Sequence, residues 1–146
     1  MPNEHDYDAL KLESQLCFPL YAASREIVKR YRPHLEPLGL TYTQYIAMMV
    51  FWARGKCSVK ELGEKLYLDS GTLTPVLKSL EAKGFVRRYR STEDERVLLV
   101  EVTEEGLRLR DRALDVPRKV GACVHLAPDD AGRLYELLYR LLETLE

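Results

Sequence analysis

The stretch that decides the fold runs from Asp69 to Arg90 and reads DSGTLTPVLKSLEAKGFVRRYR. Four apolar side chains within it recur at helical spacing and form one stripe: Leu73, Val76, Leu77 and Leu80. Gly84 follows at a place where helices commonly end in a left-handed residue, and the β-rich run Phe85–Arg90 begins at once. A helix that ends at glycine and leads directly into a strand is typical of the second half of a helix-turn-helix with a β wing.

The start of this helix is open to two interpretations. Local rules place Thr74 at the N-cap and Pro75 at the first helical position, where the missing N–H would be unpaired anyway. A start with Asp69 as the cap would instead put Pro75 inside the helix, with Gly71 beneath its ring. The sequence leaves both starts possible.

The segments on either side complete the predicted unit. Ser58-Val-Lys-Glu61 has the capping-box pattern and opens a short helix that runs through Leu66. A second β-rich run, Val97–Val102, pairs with the first across the charged turn Ser91–Arg96. Residues from about 41 to 103 are therefore predicted to form a winged helix-turn-helix.

Amphipathic helices are predicted on the N-terminal side of this unit. Apolar residues at near-helical spacing indicate a first helix: Leu16, Leu20, Ile27 and Tyr31. It should begin close to Ser14, with Ser14 or a neighbour as its cap, and end by Pro33. A second helix, capped within Thr41-Tyr-Thr43, should end at Arg54-Gly55-Lys56.

Two further helices are predicted on the C-terminal side. Thr103-Glu-Glu-Gly106 caps a long helix with a bend at Pro117 and an apolar side made by Leu107, Leu114 and Val120. A last helix begins near Pro128 and carries a regular leucine stripe: Leu134, Leu137, Leu138, Leu141, Leu142 and Leu145.

The terminal helices are too apolar to stand alone, so the expected fold is mainly α with a small β wing, flanked by N- and C-terminal dimerisation helices. The dimerisation region covers about residues 12–40 and 104–146 of a single domain. Doubled by symmetry, the unit would present two recognition helices about one DNA turn apart.

Bulk composition limits the partners. The net charge of −1 hides a mild asymmetry, because Arg54–Arg96 holds ten Lys/Arg against seven Asp/Glu. The first residues, MPNEHDYD, lack a secretory signal and no apolar run could span a bilayer, so we expect a cytoplasmic protein without a membrane partner. Cys123 and His125 do not have zinc-site spacing, and neither a metal nor a cofactor is expected.

The predicted recognition helix offers small hydroxyls and a lysine around its apolar stripe, which suit base edges and phosphates: Ser70, Thr72, Thr74, Lys78 and Ser79. The bland alternative is that these are ordinary caps and surface residues. The wing adds an arginine-rich strand with Arg87, Arg88 and Arg90, and at its tip Asp94 could hold Arg96 extended into a minor groove. A solvated turn of mixed charge explains the acidic tip but not the arginines.

Cys17 lies at a predicted helix start. Pro19 has no N–H and is tolerated only within the first turn, so it indicates a nearby N-terminus whose dipole would favour a thiolate. The alternative for a lone cysteine is a buried, inert apolar residue, and that interpretation is retained for Cys57.

Beyond these patterns, LYLDSGTLTPVLKSLEAKGFVRR and STEDERVLLVEVTEEG resemble the MarR family of winged-helix regulators. QLCFPLY, LTYTQY and LYLDSGTLTP resemble, more narrowly, the organic-hydroperoxide resistance regulators within that family. The resemblance implies a homodimeric repressor that leaves double-stranded operator DNA when an organic hydroperoxide oxidises Cys17. Pro19 departs from the expected pattern.

The resemblance also implies roles for individual residues. Tyrosine hydroxyls from the partner subunit would reach the Cys17 thiolate; they match Tyr31 and Tyr42, and Tyr21 lies one turn beyond Cys17. Some family members are inactivated by a mixed disulfide with a small thiol, and others by a disulfide to a resolving cysteine of the partner subunit. Cys123 falls in the region of that second cysteine, which favours the two-cysteine type.

Two other functions compete with peroxide sensing. A MarR-type repressor released by a small phenolic or aromatic ligand would make Cys17 incidental. A thiol peroxidase would need supporting Arg and Thr residues around the nucleophile, which the sequence does not offer, so we expect a protein that is not an enzyme.

Overall fold

The computed structural model describes all 146 residues and contains seven α-helices and three β-strands. The helices are α1 (Cys17–Leu35), α2 (Tyr42–Arg54), α3 (Val59–Leu66), α4 (Ser70–Ala82), α5 (Glu104–Arg112), α6 (Val116–Gly121) and α7 (Pro128–Thr144). The strands β1 (Lys56–Ser58), β2 (Val86–Arg90) and β3 (Leu98–Val102) form one antiparallel sheet in the order β1–β3–β2. This mainly helical chain with a small wing confirms the predicted fold class.

The helix-turn-helix is built from local caps. Ser58 Oγ accepts the Glu61 N–H at 3.0 Å and starts α3, and an Asp69 carboxylate oxygen accepts the Thr72 N–H at 2.7 Å and starts α4. The recognition helix therefore takes the earlier of its two possible starts, with Pro75 inside it. Thr74 donates its hydroxyl to the Ser70 carbonyl, 2.7 Å away, which satisfies one acceptor near the proline.

The first strand escaped the sequence-based prediction. β1 is only three residues long, and its identity comes from pairing with β3, where Cys57 lies opposite Val100. The same residue of β3 faces Arg88 of β2 on its other side. A strand of this length carries no periodicity of its own, so only the long-range partner reveals it.

Gly106 explains the Thr103-x-x-Gly106 motif. Thr103 Oγ1 accepts the Gly106 N–H at 3.1 Å and caps α5. A Cβ atom at residue 106 would lie 2.3 Å from the Phe85 carbonyl oxygen and 2.6 Å from a Val102 methyl group. The Trp52 indole N–H also donates to the Gly106 carbonyl at 2.8 Å. Only glycine allows α5 to begin this close to the wing and α2.

The core lies between α2, α3, α4 and the sheet, and it continues to the end of α1 and to α5–α6. Its largest fully buried side chains are Leu35, Met48, Phe51, Leu62, Leu73, Leu77, Leu80, Val100 and Leu109. These residues come from almost every element of the predicted winged unit. The winged helix-turn-helix is therefore stabilised within one chain.

Both predicted ends of the first helix were wrong. α1 begins at Cys17, and Ser14 lies in a separate 3-10 turn and makes no cap. At the other end α1 passes Pro33 and stops at Leu35, whose side chain is only 1% exposed. Burial of Leu35 in the core outweighs the local cost of a proline in the last turn. Residues Glu4–Leu10, before α1, form a 3-10 helix.

The predicted long fifth helix is two helices, and the three residues predicted on its apolar side do not share one environment. Leu107 and Leu114 are exposed, at 37% and 73%, whereas Val120 is buried. Leu109, Ala113 and Val116 form the buried side together with Val120. The close approach of Gly106 fixes the rotation of α5. The chain breaks between Arg112 and Val116, because Pro117 has no N–H to donate to the Ala113 carbonyl and is tolerated only in the first turn of a new helix.

The terminal helices leave their apolar faces uncovered. No residue of α7 is buried, and four of its leucine-stripe side chains are exposed: Leu134, Leu137, Leu141 and Leu145, the last just beyond the helix. Phe18, Leu20 and Ile27 are exposed in the same way on α1. None of the helices has the length and apolar character that crossing a membrane would require.

Candidate redox centre and nucleic-acid interface

Cys17 is the first residue of α1 and its side chain is exposed. Its thiol makes no hydrogen bond within the chain, and no side chain caps this end of the helix. The backbone N–H groups in the first turn of a helix have no acceptor within the helix. In α1 this leaves the other first-turn N–H groups unpaired, while Pro19 has no N–H group at all. The thiol therefore lies at a helix N-terminus, open to small reactants and to a second subunit.

The other two cysteines differ sharply from each other. Cys123 is exposed in the turn after α6, where its thiol donates to the Lys119 carbonyl at 3.5 Å. Cys57 is buried in β1, and burial raises the pKa of its thiol. All three are free thiols in the chain. Cys57 accordingly behaves as the apolar core residue that was predicted, whereas Cys17 and Cys123 are available for chemistry.

Tyr31 and Tyr42 come together although they belong to different helices. Their ring centroids are 4.9 Å apart, and Tyr45 lies 5.7 Å from the first and 6.4 Å from the second. Burial raises the pKa of all three phenols, and Tyr31 raises those of Tyr42 and Tyr45 further. The hydroxyls of Tyr31 and Tyr42 have no hydrogen-bond partner in the chain. Both hydroxyls are neutral donors without an acceptor in the chain.

Within one chain, Tyr21 lies apart from this pair, and its predicted role beside Cys17 in the dimer stays a prediction. It is exposed, and its ring lies 5.4 Å from the Arg25 guanidinium, which also donates to the Tyr21 hydroxyl at 3.5 Å. The structure gives it no contact with the tyrosine cluster. Sequence spacing placed it correctly one turn after Cys17, but the side chain is directed to its own helical neighbour.

The recognition helix presents its polar residues on the side opposite its buried leucines. Ser70, Thr72, Thr74 and Lys78 are all exposed on α4. Ser79 differs, since it is half-buried and its hydroxyl accepts an N–H from the Gln44 side chain at 3.0 Å. The four exposed side chains are therefore available to a ligand, whereas Ser79 is engaged in a contact between α4 and α2.

The wing tip holds one extended cation. An Asp94 carboxylate receives the Arg96 guanidinium through its two oxygens, at 3.0 and 3.2 Å. This hydrogen bond to Arg96 is the main reason that the pKa of Asp94 is lowered. The Arg96 side chain is nevertheless 90% exposed. The predicted Asp94–Arg96 contact is therefore present, with the cation directed into solvent.

The arginines of β2 are less free than the sequence indicated. Arg88 is only 21% exposed and donates to Glu81 at 3.0 and 3.2 Å, while its backbone N–H reaches the second oxygen of the same carboxylate at 3.1 Å. Arg88 thus ties the wing to α4, and its predicted contact with DNA stays a prediction. Arg87 pairs with Glu101 at 2.7 Å and its guanidinium lies 4.7 Å from the Tyr89 ring, but it stays 65% exposed.

Sequence patterns missed Glu81 and the role of Gln44. Glu81 lies seven residues before Arg88, a spacing without a local signal, and only the turn at Gly84 brings them together. Gln44 did have a signal, because Thr41-x-x-Gln44 is a capping box and both of its hydrogen bonds are present. No group of three or more His, Cys, Asp or Glu side chains is arranged to hold a metal ion.

Known proteins resemble the whole of this arrangement. Residues 29–112 match the family described as transcriptional regulator SarA/Rot. The organic hydroperoxide resistance transcriptional regulator of Bacillus subtilis is 48% identical over 142 residues, which cover 97% of both chains.

Two solved structures of AbfR, a protein of Staphylococcus epidermidis, are also similar. Overoxidised AbfR bound to DNA has a TM-score of 0.78 at 32% identity, over 97% of this chain and 99% of that one. Disulfide-formed AbfR has a TM-score of 0.65 at 31% identity, over 94% and 97%. Relatives named as transcriptional regulators are not enzymes.

Proposed function

The chain belongs to the MarR family of winged-helix regulators, in its organic hydroperoxide resistance group, and we propose that it is a dimeric repressor that senses organic hydroperoxides. The observation that carries this proposal is the exposed, unpaired Cys17 at the start of α1 in a chain that also holds two unpaired tyrosine hydroxyls. In the reduced state the dimer binds operator DNA, and oxidation of Cys17 releases it.

DNA binding is supported by the exposed side of α4 and the tip of the wing. Ser70, Thr72, Thr74 and Lys78 would contact base edges and phosphates in the major groove. Arg96, held by Asp94, would enter the adjacent minor groove. Arg87 adds charge on the wing, and Arg88, which also bonds to Glu81, remains a predicted contact. AbfR, at similar chain length, has been solved on DNA.

Dimerisation is supported by the uncovered faces of α1 and α7. Exposed leucines on α7 and the apolar first half of α1 form surfaces that a second copy would cover, over about residues 12–40 and 104–146. The same association would bring Cys17 of one subunit towards the partner's Tyr31 and the partner's Tyr42. Their neutral hydroxyls would then donate to the Cys17 thiolate and stabilise it.

The redox step follows from thiol chemistry. The Cys17 thiolate attacks one oxygen of the hydroperoxide, the O–O bond breaks, and the second oxygen leaves with a proton as the alcohol. The sulfur becomes a sulfenic acid. The thiol of the partner subunit's Cys123 then attacks this sulfur, an S–S bond forms, and the sulfenic oxygen leaves as water. Cys123 suits this role because it is exposed and weakly bonded.

A mixed disulfide with a small thiol is the competing outcome for the sulfenic acid, and a single set of variants separates the two. A duplex selected from a random pool on the reduced protein serves as the DNA, and affinity is measured before and after treatment with cumene hydroperoxide. Wild type should lose at least about tenfold in affinity, a typical allosteric coupling, whereas Cys17→Ser should lose none.

Non-reducing gel electrophoresis identifies the resolving thiol. A covalent dimer that disappears in both Cys17→Ser and Cys123→Ser supports the intersubunit disulfide. A monomer band that gains the mass of the added small thiol would instead favour the single-cysteine type. Wild-type DNA affinity that ignores hydroperoxide would refute peroxide sensing altogether.

A cavity of about 310 Å³ favours a second candidate function. It is lined by Val28, Arg32, Leu35, Glu36, Leu40, Thr41, Tyr42 and Thr43, and its size suits a small aromatic acid with its carboxylate on Arg32. Salicylate provides a probe. Release of DNA from the fully reduced Cys17→Ser variant by salicylate would support this alternative, and calorimetry without heat of binding would exclude it.

A further inference from the structure

Gln44 is one of only two polar residues buried in the chain, with 6% of its surface exposed. It lies in the first turn of α2, two residues after Tyr42, which belongs to the tyrosine cluster formed with Tyr31 and Tyr45. A buried side-chain amide is tolerated only when its donors and acceptor are paired. The hydrogen-bond partners of the Gln44 amide therefore indicate its structural role.

Each end of the amide bonds to a different part of the molecule. The nitrogen donates to Ser79 Oγ at 3.0 Å, on α4. The oxygen accepts the backbone N–H of Thr41 at 3.1 Å and Lys83 Nζ at 3.1 Å. Lys83 Nζ also donates to the Gly39 carbonyl. One side chain thus joins the turn before α2 to two residues at the end of the recognition helix.

The rest of the α2–α4 contact is apolar. Met48 and Phe51 of α2 belong to the same buried cluster as the leucines of α4, and apolar contacts fix distance but little direction. The hydrogen bonds of Gln44 are directional, and they begin beside Tyr42. A displacement of Tyr42 must rotate or shift this first turn of α2, and the amide passes that shift to Ser79 and Lys83.

We propose that Gln44 is the positioning residue that couples the tyrosine cluster to the recognition helix. This inference rests on the proposed function, because it needs Tyr42 to respond to the oxidation state of Cys17. In the reduced dimer the amide holds α4 at the angle that binds DNA. When Tyr42 loses its bond to the thiolate, the network moves α4 as a unit with the turn at Gly39–Thr41.

The test measures the ratio of the DNA dissociation constants of the hydroperoxide-treated and the reduced protein. A merely structural role of Gln44 would change both constants and leave their ratio unchanged. DNA affinity is determined for the reduced and the hydroperoxide-treated protein, with the duplex selected on the reduced wild type, and the two dissociation constants are divided. Gln44→Met keeps the volume and removes every side-chain hydrogen bond. We expect it to lower the wild-type ratio by about fivefold or more, the size of a modest allosteric coupling.

Two further variants and one control keep the result clear. Ser79→Ala and Lys83→Met each remove one arm of the network and should lower the ratio by less than Gln44→Met; they carry the test if that variant fails to fold. Glu81→Gln weakens the other polar tie of α4, the one to the wing, and should weaken reduced binding while leaving the ratio unchanged. Thermal unfolding confirms that each variant is folded.

The outcomes separate this inference from the function on which it rests. A wild-type ratio of one refutes peroxide sensing and the coupling together. A wild-type ratio far above one that persists in all three network variants overturns the coupling alone. A ratio that falls equally in Glu81→Gln and Gln44→Met also overturns it, because any loosening of α4 would then have the same effect.

Discussion

The winged unit and the terminal helices make opposite use of the same apolar residues. In the winged unit Leu73, Leu77 and Leu80 are buried beneath α2 and the sheet, whereas α7 carries an equally regular leucine stripe with no buried member. A hydrophobic stripe therefore predicts that something will cover it but does not say what. Here one stripe is covered by its own chain and the other is left uncovered, which is the surface that the proposed dimer would bury.

The largest expected effect tests the self-sufficient half of this comparison. Phe51→Ala should lower the free energy of unfolding by about 3–5 kcal/mol, since the ring is fully buried in the core. Urea denaturation at several protein concentrations gives the value. Met49→Ala, on the exposed side of the same helix, is the matched control and should change it by less than about 0.5 kcal/mol.

The next effect tests the half that needs a partner. Leu137→Glu together with Leu141→Glu places two charges on the α7 face and should weaken dimerisation by at least about a hundredfold, or 2.7 kcal/mol. Sedimentation measures the dimer, and circular dichroism should show a winged unit that remains folded. Glu136→Gln with Arg140→Gln, on the other side of α7, should leave the dimer intact. A dimer that tolerates the glutamates would show that another surface forms it.

A smaller effect is expected at the wing tip. Arg96→Ala should weaken binding of the selected duplex by about five- to tenfold and lower its salt dependence by one charge per subunit. Asp94→Asn should have the same direction and a smaller size, because it frees the guanidinium without removing it. Arg108→Ala removes an exposed arginine of α5 and should have no effect on affinity. An equal loss of affinity in all three variants would show that binding depends on the net charge of the protein and not on the position of Arg96.

The smallest effect is a pH dependence at the junction between the two halves. Folding raises the pKa of Tyr31, Tyr42 and Tyr45 above the ordinary value of about 10. Their contribution to stability is present below pH 10 and is lost as the pH rises through the folded values, because the unfolded chain ionises first. Tyr31→Phe with Tyr42→Phe should flatten the alkaline decline of the melting temperature. The acid limb should be unchanged in that variant.

Local signals account for what could be predicted. Thr41, Ser58 and Thr103 each cap a helix through a side chain within three residues, and these helix starts were correct. The turn glycine Gly84 and the contact between Asp94 and Arg96 are equally short-range and were also correct. Such features depend on a few neighbouring residues, which a sequence displays in full.

Long-range contacts account for what could not. β1 exists because Cys57 finds Val100, and α1 continues past Pro33 because Leu35 finds the core. Arg88 reads as a free cation until Glu81 is brought to it, and Gln44 reads as half of a capping box until Ser79 arrives from 35 residues away. The predicted roles of Cys17 and Cys123 depend on a second subunit, so they stay predictions.

Trp52 gives the chain an optical reporter. It is the only tryptophan, so all indole emission comes from one site. That site lies between α5 and the tyrosine cluster: the indole N–H bonds to Gly106 at the start of α5, and its ring lies 6.3 Å from Tyr45. A shift of α2 against α5 must alter this bond and the environment of the ring. Fluorescence therefore tests, without a dye and without DNA, whether the proposed response to a hydroperoxide shifts α2 against α5.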